Sequence, residues 1–211
     1  VDPARIVERL IFGAFYQSGQ SCISVQRFLA HESVYAPLKQ ILAERAAGLK
    51  SGDPMAEDTF LGPMISEAEA RRVEQWVRGA LDGVARLICG GKRDGAFFEA
   101  TLLENVDSAM EVSCQEVFGP VATIQPFADF DDALRIANDS AYGLQAGLFT
   151  NHLDHALRAF EELDVGGVMI NDVPSFRVDH MPYGGVKDSG LGREGVRYAM
   201  EEMTETKLMV V

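Results

Sequence analysis

Between residues 121 and 170 the sequence alternates strand-like and helix-like segments, and this alternation constrains the fold more than any other feature. Val121 to Phe127 is an apolar run rich in β-favouring residues. Asp131 to Asn138 has helical spacing and stops before Gly143, Ala146 to Thr150 reads as a strand, Leu153 to Leu163 as a helix, and Gly167 to Ile170 as a further strand. Helical crossovers of this length return the chain parallel to the strand it left, so the spacing predicts βαβ units. The fold class expected is α/β, an open, mostly parallel sheet flanked by helices.

Upstream, apolar residues at Ile6, Leu10, Ile11, Ala14 and Phe15 lie on one face of a helix over 4–18, which Gly19 is expected to end by taking a left-handed cap conformation. A strand over 26–31, a helix over 33–49 broken by Gly52-Asp53-Pro54, and a helix over 66–81 follow. Ser66 and Glu69 are spaced as a reciprocal capping box at the start of the last. Ala85 to Cys89 is strand-like and stops at Gly90-Gly91. Lys207 to Val211 reads as a short apolar strand with no partner in sequence, an expected oligomerisation edge, so a homo-oligomer (dimer or tetramer) is expected. The chain opens Val1-Asp2-Pro3 without an initiator Met and enters a helical pattern at once, as an excised segment would.

A chain of 211 residues that is 47% apolar supports one substantial core. Its net charge of -13 disfavours nucleic acid and anionic membrane as partners, since both repel an acidic surface. No apolar run reaches membrane-span length and no signal-peptide pattern opens the chain, so a cytoplasmic protein is expected. The three cysteines, Cys22, Cys89 and Cys114, form an odd count at wide spacings. Neither a disulfide framework nor a metal site is indicated, and any functional cysteine must act as a thiol.

Three segments have residue types suited to chemistry. Cys22 follows Gly19-Gln20-Ser21, where small polar neighbours leave a sulfur accessible; it is either a nucleophile or a small packing residue near a helix end. In Gln115-Glu116-Val117-Phe118-Gly119-Pro120 the acid and the aromatic are two residues apart and project from the same side of an extended segment. Such a pair suits the two ends of a nicotinamide riboside, or else marks a turn before a strand. The loop from Asn171 to Gly185 follows a strand and contains Phe176, Arg177, Met181 and Tyr183, apolar or amphipathic groups of which some are expected to face a pocket or partner. Gly190-x-Gly192 reads as a tight turn before a helix rather than as a phosphate loop.

Taken together, Gly19-Gln20-Ser21-Cys22, the stretch from Glu116 to Pro120, Ser140-Ala141-Tyr142-Gly143-Leu144 and the run from Pro182 to Gly190 with Gly192-Arg193-Glu194 resemble the aldehyde dehydrogenase superfamily in order and separation. The resemblance covers essentially the whole chain. It implies a nucleophile-bearing catalytic domain over 1–206 with an oligomerisation strand over 207–211, and the cofactor-binding domain lying outside these residues. It further implies a small aldehyde as substrate, NAD or NADP as cofactor, Cys22 as nucleophile, and a thiohemiacetal followed by a thioester. Glu116 would bind the nicotinamide ribose, Phe118 would pack at the nicotinamide end, and Ser21, Arg177 and Tyr183 would line the substrate site. An oxyanion-binding asparagine and a general-base glutamate are expected upstream of the segment, so the isolated chain is expected to be inactive.

The loop from Phe176 to Tyr183 resembles that of lactaldehyde- and glyceraldehyde-type members, and Arg177 is suited to an anionic group. Equally, Arg177 or His180 could make a structural ion pair with Asp172 or Asp179. Two rival readings are a non-catalytic assembly module and a different thiol enzyme such as a cysteine hydrolase. The second needs a histidine base, and no motif supports His31, His152, His155 or His180 in that role.

Overall fold

A computed structural model describes residues 1–211. Its centre is a four-stranded sheet in which β1 (Arg27–His31), β6 (Val121–Phe127), β5 (Thr101–Glu104) and β2 (Arg86–Cys89) are neighbours in that order. β6 runs parallel to β1, with Arg27 opposite Thr123, and parallel to β5, with Thr101 opposite Val121. β2 closes the edge antiparallel to β5, with a register shift between Leu87 and Cys89. Short pairs surround it: β3 (Arg93–Asp94) with β4 (Phe97–Phe98), and β7 (Tyr142–Gly143) with β10 (Val186–Lys187).

Because successive strand residues point to opposite faces, one strand serves two cores. On one side α1 (Pro3–Phe15) and α2 (Glu32–Ala47) bury Leu10, Ala14, Phe15 and Leu42 against Phe28, Leu102, Ala122 and Ile124. On the other, α3 (Glu67–Asp82) and the single turn α4 (Glu111–Cys114) bury Val73, Val77 and Val112 against Leu103, Val117 and Val121. Adjacent Leu102 and Leu103 thus fall in different clusters, both fully buried. Each such side chain contributes roughly 1.5–3 kcal/mol by leaving water. The expected α/β architecture, a mostly parallel sheet between helices, is what the chain adopts.

Helix α1 begins where Asp2 accepts the Ala4 N–H at 3.0 Å and Pro3 occupies the first turn. It ends at Phe15, three residues before the end expected from sequence, because Gln17 and Ser18 both take left-handed conformations. In its last turn, Gly13 has Val173 and Val25 packed so closely that an added Cβ would meet them at 3.0 Å. Only half of the capping box at α3 forms: Ser66 accepts the Glu69 N–H at 3.2 Å, while the Glu69 carboxylate pairs with Arg72 instead.

The alternation over 121–170 resolves into two sheets rather than one. β8 (Gln145–Leu148) and β9 (Gly167–Ile170) pair parallel through α6 (Leu153–Glu162), a single βαβ unit, whereas α5 (Phe130–Asn138) leads out of β6 into this separate pair. Arg27 ties the two parts by donating to the Ile136 carbonyl at the end of α5, 2.7 Å away. After α7 (Val196–Glu202) no strand follows. The strand expected over Lys207–Val211 is not formed within the chain, and Leu208 to Val211 lie exposed.

Two ion pairs bind distant segments. Arg9 on α1 pairs with Asp172 after β9 through both carboxylate oxygens, and Lys39 on α2 pairs with Glu104 on β5 at 2.7 Å. Arg9 holds the Asp172 carboxyl below the usual carboxylate range, and Lys39, with help from Tyr35, does the same for Glu104. Folded carboxyls with depressed pKa values resist protonation that the unfolded chain accepts, so their contribution is complete at neutral pH and is lost on acidification below about pH 4. The urea midpoint should therefore fall as pH is lowered from 7 to 3.5, and Arg9→Met should flatten that dependence; an unchanged slope in the variant would contradict it.

Candidate active site

The segment after α1 is built to turn outward. Tyr16–Gly19 forms one 3-10 turn in which Gln17, Ser18 and then Gly19 are all left-handed, at φ 50°, 56° and 69°. Side chains hold this unusual path: Ser18 Oγ donates to the Gly62 carbonyl at 2.8 Å, and Gln20 Oε1 accepts the Ile65 N–H at 2.7 Å. Gly19 cannot be replaced freely, because a Cβ there would lie 2.1 Å from the Gly119 carbonyl oxygen.

Cys22 then occupies a turn closed by Ser24 N–H on the Ser21 carbonyl at 2.9 Å. Ile23 and Val25 point into the protein and Cys22 is exposed. Its own backbone N–H has no acceptor within the chain. Ser175 Oγ braces the turn by contacting the Ile23 carbonyl at 2.9 Å and the Gly13 carbonyl at 3.1 Å. Cys89 and Cys114 are half-buried, and burial pushes the Cys89 thiol pKa up.

Glu116 and Phe118 belong to the segment entering β6. Since β1 and β6 are parallel neighbours, the residues before each strand, including Cys22 and this pair, reach the same end of the sheet. Val117 between them is buried while both flanking side chains are exposed, as the two-residue spacing predicts. Phe118 is left-handed at φ 47°, a conformation costing a non-glycine residue roughly 1–2 kcal/mol. Its ring joins Gln17, Gln20, Pro63 and Ile65 around an open recess of about 360 Å³. Gln20, two residues before Cys22, is one of the residues lining it.

The third segment arrives from the other sheet. Tyr183 is buried, and burial raises its phenol pKa; the Cys22 thiol adds to that rise, while the nearby Arg177 opposes it. The Arg177 guanidinium lies 4.1 Å from the centre of the Tyr183 ring and pairs with Glu194 at 3.0 Å. The partners expected for Arg177 from sequence are therefore corrected: Asp172 is taken by Arg9, and the residue across the Tyr183–Glu194 bridge supplies the carboxylate. Phe176 remains exposed and Met181 half-buried.

Ser21 is joined to Tyr16 by a hydroxyl–hydroxyl hydrogen bond, and Tyr16 stacks on Phe12 at 5.0 Å. Tyr16, Ser175 and Gln26 bear on the site yet carried no signal in sequence. Tyr16 reads as helix and Ser175 as loop. Gln26 reads as the start of a strand, although its side chain bonds the backbone around Val117.

Known proteins resemble the chain in sequence and in fold. The chain matches the aldehyde dehydrogenase family over residues 1–209. It is 50% identical over 198 residues to the 3-sulfolactaldehyde dehydrogenase of Priestia megaterium, covering 94% of this chain and 42% of that protein. Aldehyde dehydrogenase 21 from Physcomitrella patens, solved with the reaction product succinate, superposes with a TM-score of 0.97 at 48% identity, covering 99% of this chain and 43% of that one. A glyceraldehyde-3-phosphate dehydrogenase from Methanocaldococcus jannaschii complexed with NADP superposes with a TM-score of 0.91 at 44% identity, over 96% of this chain and 44% of its own. The chain thus spans about two-fifths of the length of these similar proteins.

Exposure distinguishes the three thiols. Iodoacetamide on the folded chain should modify Cys22 ahead of Cys89 and Cys114, by roughly tenfold or more in rate, read by peptide mass spectrometry. Equal labelling of all three would remove the case for a specially presented Cys22.

Proposed function

The chain belongs to the aldehyde dehydrogenase family, and we propose that it forms the nucleophile-bearing part of an NAD- or NADP-dependent enzyme oxidising a small aldehyde to the carboxylic acid. The observation that carries this reading is an exposed Cys22 with an unpaired backbone N–H, at the sheet end it shares with Glu116 and Phe118.

In the proposed reaction the Cys22 thiolate adds to the aldehyde carbon, and the carbonyl electrons move onto oxygen to give a thiohemiacetal oxyanion. The Cys22 N–H donates to that oxygen. When bound, a nicotinamide cofactor supplies the acceptor for the hydride leaving that carbon. Cys22 then holds a thioester, whose hydrolysis by water releases the acid and restores the thiol. The residues present suit the cofactor: the exposed Glu116 carboxylate can accept ribose hydroxyls, and the exposed Phe118 ring, held in a costly conformation beside an open recess, offers an apolar face to the nicotinamide end. The expected asparagine and glutamate base are assigned to no residue of this chain, so we also propose that the chain alone does not turn over.

Substrate preference is proposed for an aldehyde with an anionic far end. Arg177 and Tyr183 support it, a guanidinium stacked over a ring that lies in the field of Cys22. Among the similar proteins, the named compounds 3-sulfolactaldehyde, succinate and glyceraldehyde-3-phosphate bear such a group, whereas lactaldehyde and betaine aldehyde, named for others, do not. Ser21, hydrogen-bonded to Tyr16, would line the same side. A homo-oligomer is part of the proposal, with the exposed apolar Leu208–Val211 tail as the segment a second copy would cover, and three free thiols suit a reducing cytoplasm.

Three measurements test these assignments. The 211 residues alone should produce no NAD(P)H from a short aldehyde, whereas the complete polypeptide should, and there Cys22→Ser should lower kcat by about 1,000-fold or more. Robust turnover by the short chain would sink the claim of incompleteness, and an active Cys22→Ser enzyme would sink the nucleophile. Arg177→Ala should raise KM for an anionic aldehyde about tenfold relative to a neutral one of equal length; equal effects on both would discard the anion site.

A further inference from the structure

Gln26 commits its whole side-chain amide to one stretch of backbone. Nε2 donates to the Val112 carbonyl at 3.1 Å and to the Gln115 carbonyl at 2.7 Å, and Oε1 accepts the Val117 N–H at 2.9 Å. Two carbonyls require the NH₂ and an N–H requires the oxygen, so these bonds by themselves decide which way the amide points. The main-chain carbonyl of Gln26 accepts the Thr123 N–H at 2.8 Å. One residue, four positions after Cys22, therefore grips the chain on both sides of Glu116 and again inside β6.

None of these bonds reaches the side chains of Glu116 or Phe118; they act on the backbone that carries them. Arg72 adds a bond from the other side, Nη2 to the Val117 carbonyl at 2.7 Å. Both peptide groups of Val117 are thus held, directly before the residue whose left-handed φ of 47° presents the Phe118 ring. A strained non-glycine conformation persists only where its surroundings over-determine it. The Gly19–Gly119 approach is a steric stop between the same two segments, and Gln26 supplies the directional tie.

We infer that Gln26 is a positioning residue that sets the register between Cys22 and the Glu116–Phe118 segment, and thereby governs cofactor affinity rather than thiol reactivity. This rests on the proposal that Cys22 is the nucleophile and that Glu116 and Phe118 hold the nicotinamide riboside. Removing the amide leaves two carbonyls and one N–H without partners, and the segment relaxes to satisfy them with water.

The test uses the complete enzyme with Gln26→Met, an apolar side chain of similar length, and Gln26→Asn, an amide one methylene too short to reach all three partners. Activity of the unsubstituted enzyme and its loss in Cys22→Ser check the underlying reading separately. In both Gln26 variants KM for the nicotinamide cofactor should rise about tenfold or more. The rate of Cys22 alkylation by iodoacetamide, measured without cofactor, should stay within about twofold of the parent. An unchanged cofactor KM overturns the inference. So does a parallel loss of alkylation rate, which would show a collapsed turn rather than a displaced cofactor segment. Should Gln26→Met fail to fold, Gln26→Asn decides on the same two readouts.

Discussion

The parallel pairing of β1 with β6 is the constraint on which the candidate site depends. Two strands that run the same way bring their preceding segments to one end of the sheet, and here those segments contain Cys22 and the Glu116–Phe118 pair. Residues separated by about half the chain thus reach the same end of the sheet without a loop crossing over to join them. β6 can sit at the centre because Val121, Ala122 and Ile124 are buried on alternate faces under different helices. The helical layers hold the strands, and the strands hold the site. In open α/β sheets ligands usually gather at the carboxyl ends of strands; Cys22 and Phe118 instead lie at the amino ends of β1 and β6, with Ser175 of the loop after β9 bracing the Cys22 turn.

Much of the scaffold was legible in the sequence because it rests on local patterning. The stripe of Leu10, Ile11 and Ala14, the capping Ser66 and the breaks at Gly52 and Gly90 all act within a few residues, and the corresponding helices and strands appear where those signals place them. The α/β class was legible for the same reason. What could not be read was the division of the alternating segments between two sheets, since hydrogen bonding across strands is decided by partners distant in sequence. The tail over 207–211 shows the same limit from the other side: apolar residues favour a strand, but a ladder needs a neighbour.

At the site the division is sharper. Cys22, Glu116 and Phe118 were visible as residue types at suggestive spacings. Their supports were not. Gln17 and Ser18 give no composition cue for left-handed backbone; they adopt it because Ser18 finds the Gly62 carbonyl and because Gly19 must lie against Gly119. Arg177 was visible as a cation, yet its partner Glu194 is brought to it by a two-residue bridge that no periodicity announces. Side chains that act on a distant backbone, such as Gln26 and Ser175, leave no pattern along their own segment.

The brace between α1 and the loop after β9 has a consequence for the order of folding. Arg9 and Asp172 are 163 residues apart, and Ser175 reaches back to Gly13 and Ile23 across 162 and 152 residues. Contacts of such separation carry a large loop-closure cost and weigh toward slow, late consolidation. The turn that displays Cys22 is therefore synthesised well before the segment that fastens it. Until residues 172–175 arrive, the thiol is part of an unbraced segment, so a nascent or partly unfolded chain presents a different cysteine to its surroundings from the one in the finished fold.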